Sequence, residues 1–342
     1  MFIVGDTLDD LLRRSFAKTL KEGAWMKATR GRNKELCCVL LALTNPLARL
    51  SHTESRGKVF SALGELAWYL AGRNDGKFIT YYIDRYKKEV EGDGTIHGAY
   101  GPRVFSANGP SQFKTVINLL QEKPTTRKAV IQVFDADDLR GDYKDVPCTC
   151  SVQFMVRADR LHMSVVMRSN DAYIGLPHDV FSFTMFQELT ARTLGCELGT
   201  YCHYAGSFHI YEDQIDAAKQ YIDEGWQGRE HAAMPKMPPG DPWPSVQAWL
   251  KAEEAIRTGR QPAKRLLSGL DEYWRDLVRL LEVFTCVKKK KPQEIVRIKG
   301  QMRSHVYKEY IAQKAKPKQT LPRSGQAVLF PMDGGDNGSE ST

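Results

Sequence analysis

The chain has 342 residues, of which 42% are hydrophobic, enough to bury the core of one large domain or two modest ones. No apolar run has membrane-spanning length, no signal peptide is recognisable, and the seven scattered cysteines suit neither disulfides nor a metal site, so a cytoplasmic, metal-free protein is expected. The net charge of +8 arises in the segment 288–318, where eleven Lys/Arg and two Glu give +9, and the near-neutral remainder does not indicate a nucleic-acid-binding body.

The first long predicted helix carries a carboxylate on an apolar background. Residues 55–70 place apolar side chains at helical spacing, and Glu65 lies among them. A buried glutamate is unfavourable unless it has a partner or a function, so Glu65 is a candidate functional residue. A glycine-rich loop around 92–102, a short helix at 112–120 and a β-rich stretch at 128–134 follow.

A β-hairpin is predicted next, and it helps to set the fold class. Its outgoing strand begins at Pro147, its return strand ends near Met167, and its turn lies at 158–160. An apolar helix over 180–194 and a strand over 203–211 follow. The elements lack the regular alternation of strand and helix that marks a doubly wound fold, so we expect an α+β fold on a mixed β-sheet.

The C-terminal part is expected to divide into a helical segment and a basic segment. Five prolines mark an irregular loop at 233–245, and residues 249–283 are predicted to be helical in two pieces. We therefore expect one folded domain over 1–285 and a basic, partly disordered extension over 286–342. A solvated lysine-rich terminus is the simplest interpretation of the extension, and binding of nucleic acid or a partner protein is the alternative.

A candidate nucleophile stands at the start of the predicted hairpin. Cys148 follows Pro147, and the hairpin returns Arg168 to the same end. A neighbouring guanidinium lowers the pKa of a thiol and favours the reactive thiolate. A cysteine at a strand start is otherwise a small buried residue, so the catalytic interpretation depends on Arg168.

Two further pairs of residues suit a nucleotide. Arg168 and Ser169 offer a guanidinium fork and a hydroxyl to a phosphate, although an ordinary hairpin end on the surface would also contain them. His209 and Tyr211 lie two residues apart on one face of a strand, where they suit sugar hydroxyls or are amphipathic side chains at a sheet edge.

Several short motifs follow one another in a specific order: Glu65-Leu66-Ala67-Trp68, Tyr100-Gly101, Arg127-Lys128, Pro147-Cys148, Gln153-Phe154, Arg168-Ser169-x-Asp171, Gly175-x-Pro177-x-Asp179 and His209-x-Tyr211. This order resembles the thymidylate synthase superfamily, most strongly over residues 55–215. The resemblance implies a catalytic domain with flanking helices around its mixed sheet and a homodimer formed through that sheet. It also implies a pyrimidine nucleoside monophosphate as substrate and 5,10-methylenetetrahydrofolate as co-substrate.

The resemblance also assigns roles to the residues. Cys148 would attack C6 of the pyrimidine so that C5 becomes nucleophilic, and Glu65 would organise water and proton transfer around the base. Asp171 would support the folate and the base. Tyr100 and Asp179 would be further catalytic residues. The residues expected to bind the phosphate are Arg168, Ser169, Arg30 or Arg32, and Arg127 and Lys128 from the dimer partner. Those expected to bind the base and the sugar are Gln153, His209 and Tyr211.

Asp179 indicates which base is read. Thymidylate synthases carry asparagine at this position, and its amide matches N3–H and O4 of uracil. A protonated aspartate donates to N3 of cytosine and accepts from its amino group, and an ionised one pairs with an N3-protonated base. Aspartate here is the pattern of the deoxycytidylate hydroxymethylases, whose Met-Arg-Ser-Asn-Asp run resembles residues 167–171. Alternatively, Asp179 caps a helix that begins at Val180.

The expected product is a 5-hydroxymethyl nucleotide, formed by capture of water instead of hydride. Thymidylate synthases seal the site with an apolar C-terminus, whereas a polar tail follows residues 328–331 here, and their tryptophan near the folate is missing in 82–86. The expected substrate is dCMP. CMP, used in nucleoside-antibiotic pathways and favoured by the small Ala172, is an alternative, as are dUMP and a non-catalytic nucleotide- or RNA-binding protein.

Overall fold

A computed structural model describes residues 1–52, 59–105, 111–226 and 233–315, with one mixed β-sheet at the centre. In these ranges the strands, β1 to β7 in chain order, are Phe2–Gly5, Ala24–Ala28, Gly31–Leu43, Val130–Gln132, Thr149–Arg157, Arg160–Asp171 and Glu197–Tyr211. Their order across the sheet is β1-β3-β7-β6-β5-β4, and β2 pairs with β3. The β1–β3 and β6–β7 pairs are parallel and the others antiparallel, which confirms the predicted α+β fold with a mixed sheet.

Helices pack around this sheet. In chain order, α1 to α12 are Leu8–Glu22, Val59–Leu70, Gly76–Tyr82, Tyr100–Phe105, Gln112–Glu122, Gly175–Leu194, Ile215–Asp223, Trp243–Arg257, Lys264–Ser268, Glu272–Lys288, Pro292–Gln301 and His305–Ala315. A short 3₁₀ helix, Asp84–Glu89, follows α3. Within the described ranges, none of the helices is both long and apolar enough to cross a membrane.

The predicted starts of two helices have different outcomes. The helix predicted over 55–70 is α2 from Val59 onward, and positions 55–58 lie outside the described residues. Helix α6 begins five residues before its predicted start. Pro177 is compatible with the first helical turn, because the backbone N–H groups of that turn have no partner within the helix and a missing N–H therefore costs no helical hydrogen bond. Asp179 therefore lies inside α6, and the alternative that it caps the helix is wrong.

The strands alternate between a packed face and an open face of the sheet. On β6, Leu161, Met163 and Val165 are buried, whereas His162 and Ser164 between them are partly exposed. Helix α6 packs against β6 and β7. Among the described residues, side chains of the open face such as His162 and Ser164 stay partly exposed, and the homodimer expected through the sheet stays a prediction.

The β5–β6 hairpin brings the predicted nucleophile and the predicted anion-binding arginine together. Its turn at 158–159 has left-handed backbone, and its register pairs Thr149 with Met167. The backbone N–H of Arg168 donates to the carbonyl of Cys148 at 2.8 Å. The predicted proximity of Cys148 and Arg168 is thus confirmed.

Part of the predicted C-terminal extension is folded. Helices α11 and α12 contribute Ile295 and Tyr307 to the same hydrophobic core as the rest of the chain. The hydroxyl of Tyr310 donates to the carbonyl of Ser51 at 2.6 Å. The folded body therefore continues past the predicted boundary at residue 285, and the tail from residue 316, including its expected disorder, lies outside the described residues.

Candidate active site

A cavity of about 460 Å³ opens where the ends of β6 and β7 meet α2, the start of α6 and the segment 143–148. Its volume is typical of pockets that bind small molecules. The cavity gathers predicted site residues from distant parts of the sequence: Arg30, Glu65, Tyr100, Cys148, Arg168, Ser169, Asp171, Asp179, His209 and Tyr211.

Of the two candidate N-terminal arginines, Arg30 lines this cavity and Arg32 does not. Arg30 lies in the turn between β2 and β3, and its guanidinium is 3.2 Å from the carboxylate of Asp145. Arg32 lies on β3 and pairs with Glu212 at 2.8 Å outside the cavity. Gly31 between them has φ of 135°, a conformation open to glycine, and the chain reverses there.

Three other predicted site residues also lie outside the cavity. Gln153 on β5 donates from Nε2 to the carbonyl of Arg127 at 2.9 Å, and its binding to base or sugar stays a prediction. Its neighbours Val152 and Phe154 are buried in the core, and strand alternation places Gln153 on the opposite face. Arg127 and Lys128 are exposed ahead of β4, and their donation to a partner's site stays a prediction.

The half-buried thiol of Cys148 is not held as a thiolate. Burial raises its pKa to about 11; Arg168 and Arg30 lower the pKa in part, and the carboxyl groups of Asp145 and Asp179 raise it further. Arg168 therefore lowers the pKa of the Cys148 thiol, as predicted, but desolvation of the thiol raises that pKa by more. Cys148 is a neutral thiol near pH 7 and must lose its proton during attack.

Arg168 holds the segment that carries the nucleophile. Its Nε donates to the carbonyl of Pro147 at 2.9 Å, and its Nη2 donates to that of Val146 at 2.8 Å. Ser169 follows it on β6 and lines the same cavity. The guanidinium is thereby fixed at the cavity wall, where it can meet an anion.

Glu65 is an ionised carboxylate within an apolar helix. Its residue is 5% exposed on α2. Oε1 accepts from the hydroxyl of Tyr86 at 2.7 Å, and Oε2 lies 3.3 Å from Nδ1 of His178. Burial by itself would raise the pKa of Glu65, but His178, Tyr86 and Tyr69 together lower it below its usual value.

The pKa of Asp179 is shifted in the opposite direction. Burial and the negative charge of Glu65 raise it well above the usual aspartate value, and Asp171 adds to this effect. Nδ2 of Asn170 donates to Oδ2 of Asp179 at 2.7 Å and offsets the rise only in part. The raised pKa favours the protonated carboxyl, which has one O–H donor and one carbonyl acceptor.

Tyr100 supports the nucleophile segment from α4. Its hydroxyl accepts from the backbone N–H of Thr149 at 3.3 Å, and its ring stacks on that of Tyr69 with centroids 5.1 Å apart. Burial raises the pKa of Tyr100 well above its usual value, and Asp179 and Cys148 contribute to the same effect. Tyr100 is thus a neutral phenol next to the nucleophile.

The sugar-binding candidates lie at the end of β7. The rings of His209 and Tyr211 have centroids 4.9 Å apart, and both residues line the cavity. Burial lowers the pKa of His209, so its neutral imidazole can both donate and accept. Ala172 is fully buried and does not line the cavity, so the prediction that its small side chain leaves room for a 2′-hydroxyl is not supported.

Asp171 shapes the junction between β6 and α6. Its Oδ1 accepts from the backbone N–H groups of Tyr173 and Ile174, both at 2.9 Å. Its Oδ2 accepts from Nε2 of Gln214 at 3.4 Å and lies 3.7 Å from the guanidinium of Arg85. The carboxylate thus orders the cavity wall, and its contact with folate stays a prediction.

One part of the cavity wall suits a flat heterocycle. Trp68 and Tyr86 line it with ring centroids 5.7 Å apart, and Ile83 lies on the same wall. The buried Nε1 of Trp68 has no hydrogen-bond partner among the described residues. An aromatic wall with an unused donor fits the reduced pteridine of a folate. In contrast, the described ranges contain no cluster of His, Cys, Asp and Glu side chains that could hold a metal ion.

Sequence reasoning missed several residues that the fold brings into the site. His178, Asn170 and Tyr86 contact the two catalytic carboxyl candidates, and Asp145 contacts Arg30. His178 and Asn170 occupy the variable positions of two motifs that the sequence did reveal. Their adjacency to Asp179 and Asp171 was the available signal.

Comparison with known proteins agrees with this geometry. Residues 43–238, more than half of the chain, match the thymidylate synthase family model. The deoxyuridylate hydroxymethyltransferase of Pseudomonas phage M6 is 34% identical over 167 residues, 48% of this chain and 48% of that protein. That of Bacillus phage SP01 is 30% identical over 213 residues, 58% of this chain and 55% of that protein. The thymidylate synthase of Bacillus phage phi3T is 32% identical over 170 residues, 46% of this chain and 60% of that protein.

The chain spans about half the length of the curated relatives it matches. The family uses 5,10-methylenetetrahydrofolate as co-substrate, in agreement with the aromatic wall of the cavity. Both the extent of the family match and the fold lead to one conclusion: this chain belongs to the thymidylate synthase family.

Proposed function

We propose that this chain is a hydroxymethyltransferase that acts on C5 of a pyrimidine nucleoside monophosphate, with dCMP as the substrate. In this reaction dCMP, 5,10-methylenetetrahydrofolate and water give 5-hydroxymethyl-dCMP and tetrahydrofolate. Family membership and similarity to phage deoxyuridylate hydroxymethyltransferases support hydroxymethyl transfer. The position of Asp179 in the cavity of Cys148, with a raised pKa that favours its protonated form, is the observation that carries the choice of cytosine.

The co-substrate would lie against the aromatic wall. When bound, 5,10-methylenetetrahydrofolate supplies one carbon at the oxidation level of formaldehyde. Trp68 and Tyr86 would pack against its rings, and Asp171 would accept from its polar edge.

Cys148 would form a bond from Sγ to C6 of the pyrimidine, and C5 would become nucleophilic. The thiol proton needs an acceptor in the cavity, since the pKa of Cys148 is about 11. We assign this role to Asp145, whose carboxylate is paired with Arg30 at 3.2 Å. A phosphate that binds Arg30 competes for this pair, which makes Asp145 a stronger base when substrate is present.

Asp179 would read the Watson–Crick edge of the base. Asn170 donates to Oδ2, which favours a carbonyl-type acceptor there and leaves the acidic proton on Oδ1. A donor next to an acceptor matches N3 and the amino group of cytosine. His209 and Tyr211 would bind the sugar, and Arg30, Arg168 and Ser169 the phosphate.

Hydroxymethylation of dUMP is the second candidate, and a specific observation favours it. The deoxyuridylate hydroxymethyltransferases of three phages are among the similar proteins. A neutral carboxyl also matches uracil if its hydroxyl meets O4 and its carbonyl meets N3–H. The orientation of the Asp179 carboxyl towards the base thus decides between the two substrates.

We further propose a homodimer in which each chain donates Arg127 and Lys128 to the phosphate site of its partner. Both side chains are exposed and lie outside the cavity of their own chain. They lie ahead of β4, at the edge of the sheet whose open face is incompletely covered. Basic side chains in this position can reach a second copy packed on that face.

The decisive experiment supplies dCMP, CMP and dUMP separately with methylene-labelled 5,10-methylenetetrahydrofolate and identifies the products by mass. We expect labelled 5-hydroxymethyl-dCMP, and no product with Cys148→Ala. Turnover of dUMP with inert dCMP would replace the first candidate by the second. A methylated product with oxidised folate would overturn hydroxymethyl transfer altogether.

A further inference from the structure

His178 stands between two cavities, one residue before Asp179. It lies in the second turn of α6, is 8% exposed, and lines the main cavity. On its other side a pocket of about 20 Å³ is lined by Arg49, Ser51, Tyr310 and apolar side chains. The two polar partners of its ring that the hydrogen-bond geometry identifies, Ser61 and Glu65, both lie on α2.

The two ring nitrogens of His178 have different partners on α2. Nδ1 is 3.3 Å from Oε2 of Glu65, and Nε2 is 3.1 Å from Oγ of Ser61. An ionised carboxylate only accepts, so Nδ1 must carry a proton. Nε2 then faces the hydroxyl of Ser61, and these two contacts fix the orientation of the ring.

Glu65 is surrounded by groups that hold its charge. Tyr86 from the 3₁₀ helix and Tyr69 from α2 donate to it, and His178 donates from α6. The carboxyl of Asp179, next along α6, has a raised pKa that favours its protonated form. Among the attractive contributions to Glu65, the hydrogen bond and charge of His178 are the largest. Removing this imidazole therefore removes the main interaction that opposes the desolvation of a buried carboxylate.

We propose that His178 is a positioning residue that keeps Glu65 ionised and aimed as the base for the water step. This inference rests on the proposed hydroxymethyl transfer. A water oxygen bonds to the methylene carbon on C5, an O–H bond breaks, and its proton goes to Oε of Glu65. The electron pair of the C5–methylene double bond moves into the ring and then expels the sulfur of Cys148 from C6 as C5–C6 becomes double.

Three substitutions separate the hydrogen bond from the shape of the ring. His178→Phe keeps an aromatic ring but has no donor. His178→Asn places its amide N–H near the position of Nδ1, and His178→Gln places it near Nε2, facing Ser61 instead. A role through Nδ1 predicts that Asn rescues the function and that Gln and Phe do not. Thermal unfolding of each variant reports whether it is folded.

The first readout does not depend on turnover. Infrared difference spectra of the free protein follow the carbonyl band of a protonated carboxyl as pH falls, and Glu65→Gln identifies the contribution of Glu65. In His178→Phe the pH midpoint at which this band appears is expected to lie at least one pH unit higher than in the wild type, which is a tenfold change in proton affinity. In His178→Asn it stays near the wild-type position. An unchanged titration in folded His178→Phe would overturn the proposal.

The second readout is the rate of 5-hydroxymethyl product formation against pH. We expect His178→Phe to lower kcat at least tenfold with nearly unchanged KM for the nucleotide, and to move the acidic limb to higher pH. His178→Asn should restore most of the rate. If the wild type makes no hydroxymethyl product, the proposed function fails. If it does, and folded His178→Phe matches its rate and pH profile, only the role of His178 fails.

Discussion

Glu65 and Asp179 line one cavity, and their pKa values are shifted in opposite directions. The pKa of Glu65 is lowered by its hydrogen-bond partners, whereas burial and the charge of Glu65 itself raise that of Asp179. An ionised Glu65 therefore favours the protonated form of Asp179. Two carboxyls whose pKa values are pushed apart are a typical acid and base pair of an active site.

Asp179→Asn is expected to change the preferred base. An amide at this position has a fixed donor and acceptor that match uracil, and a mismatched buried hydrogen bond is strongly unfavourable. We expect the ratio of kcat/KM for dCMP to that for dUMP to fall by about 100-fold or more. Steady-state kinetics with both nucleotides measure the ratio. If the variant loses both activities equally while folded and able to bind nucleotide, Asp179 does not select the base.

The raised pKa of Asp179 is expected to make the stability of the fold depend on pH. Its contribution to stability is fully present below the pKa of an unfolded aspartate, about 3.9, and is lost as pH rises from there through the raised folded-state pKa. Urea denaturation at a series of pH values should show this loss of free energy of unfolding above about pH 4. Asp179→Asn should reduce the loss, whereas Lys236→Gln on the surface should not. Equal losses in all three proteins would contradict the assignment.

The thiol of Cys148 is expected to react slowly at pH 7. Its alkylation rate should rise with pH towards a midpoint near 11 in the free protein, because the pKa is about 11. Arg168→Leu should move the midpoint higher, since the guanidinium lowers the pKa. Mass mapping of the labelled peptide separates Cys148 from the exposed Cys37 and Cys38. A midpoint near 7 would show that burial does not control this thiol.

Mixing two inactive variants tests the shared site. A chain with Cys148→Ala keeps Arg127 and Lys128, and a chain with both basic residues changed to Ala keeps Cys148. Random reassociation of equal amounts should give about one quarter of wild-type activity, since half of the dimers are mixed and each has one intact site. Separate variants should stay inactive or weak. No recovery in mixtures that size measurements show to be dimeric would place these residues outside the partner's site.

A glycine in α2 is expected to be essential for packing beneath the site. A Cβ added to Gly64 would lie 2.1 Å from Cγ of Tyr82, so one of the two must move. Gly64→Ala should lower the free energy of unfolding by about 1–3 kcal/mol. Gly300→Ala is the matched control, because its Cβ would meet no atom within 4 Å and Ala favours the helix. Similar denaturation curves for the two variants would show that Tyr82 adjusts freely.

The sequence predicted what local geometry determines. A hairpin joins neighbouring strands, so the proximity of Cys148 and Arg168 followed from the turn between them, and the register confirms it. The mixed sheet was likewise predictable from the irregular order of elements. The motif that contains Gln153 did not reveal its strand face: its neighbours on β5 point into the core, and Gln153 lies outside the cavity.

Other parts of the site depend on burial and on contacts that are distant in the sequence. Glu65 and His178 lie 113 positions apart, and no pattern along the chain connects them. The choice between Arg30 and Arg32 depends on one glycine turn. The protonation of Cys148 was predicted from a single neighbouring cation, whereas the desolvation that outweighs it is a property of the whole cavity.

The two hydrogen bonds from Arg168 to the backbone of Val146 and Pro147 connect the proposed phosphate-binding guanidinium to the segment that carries Cys148. A phosphate that draws on this guanidinium also pulls on the peptide segment whose next residue is the nucleophile. The charge of the substrate would thereby help to align Cys148 for attack. A nucleoside without phosphate would enter the same cavity, but this alignment would be missing. Such a substrate should lose kcat as well as affinity, because distant binding energy is used to align the reacting atoms.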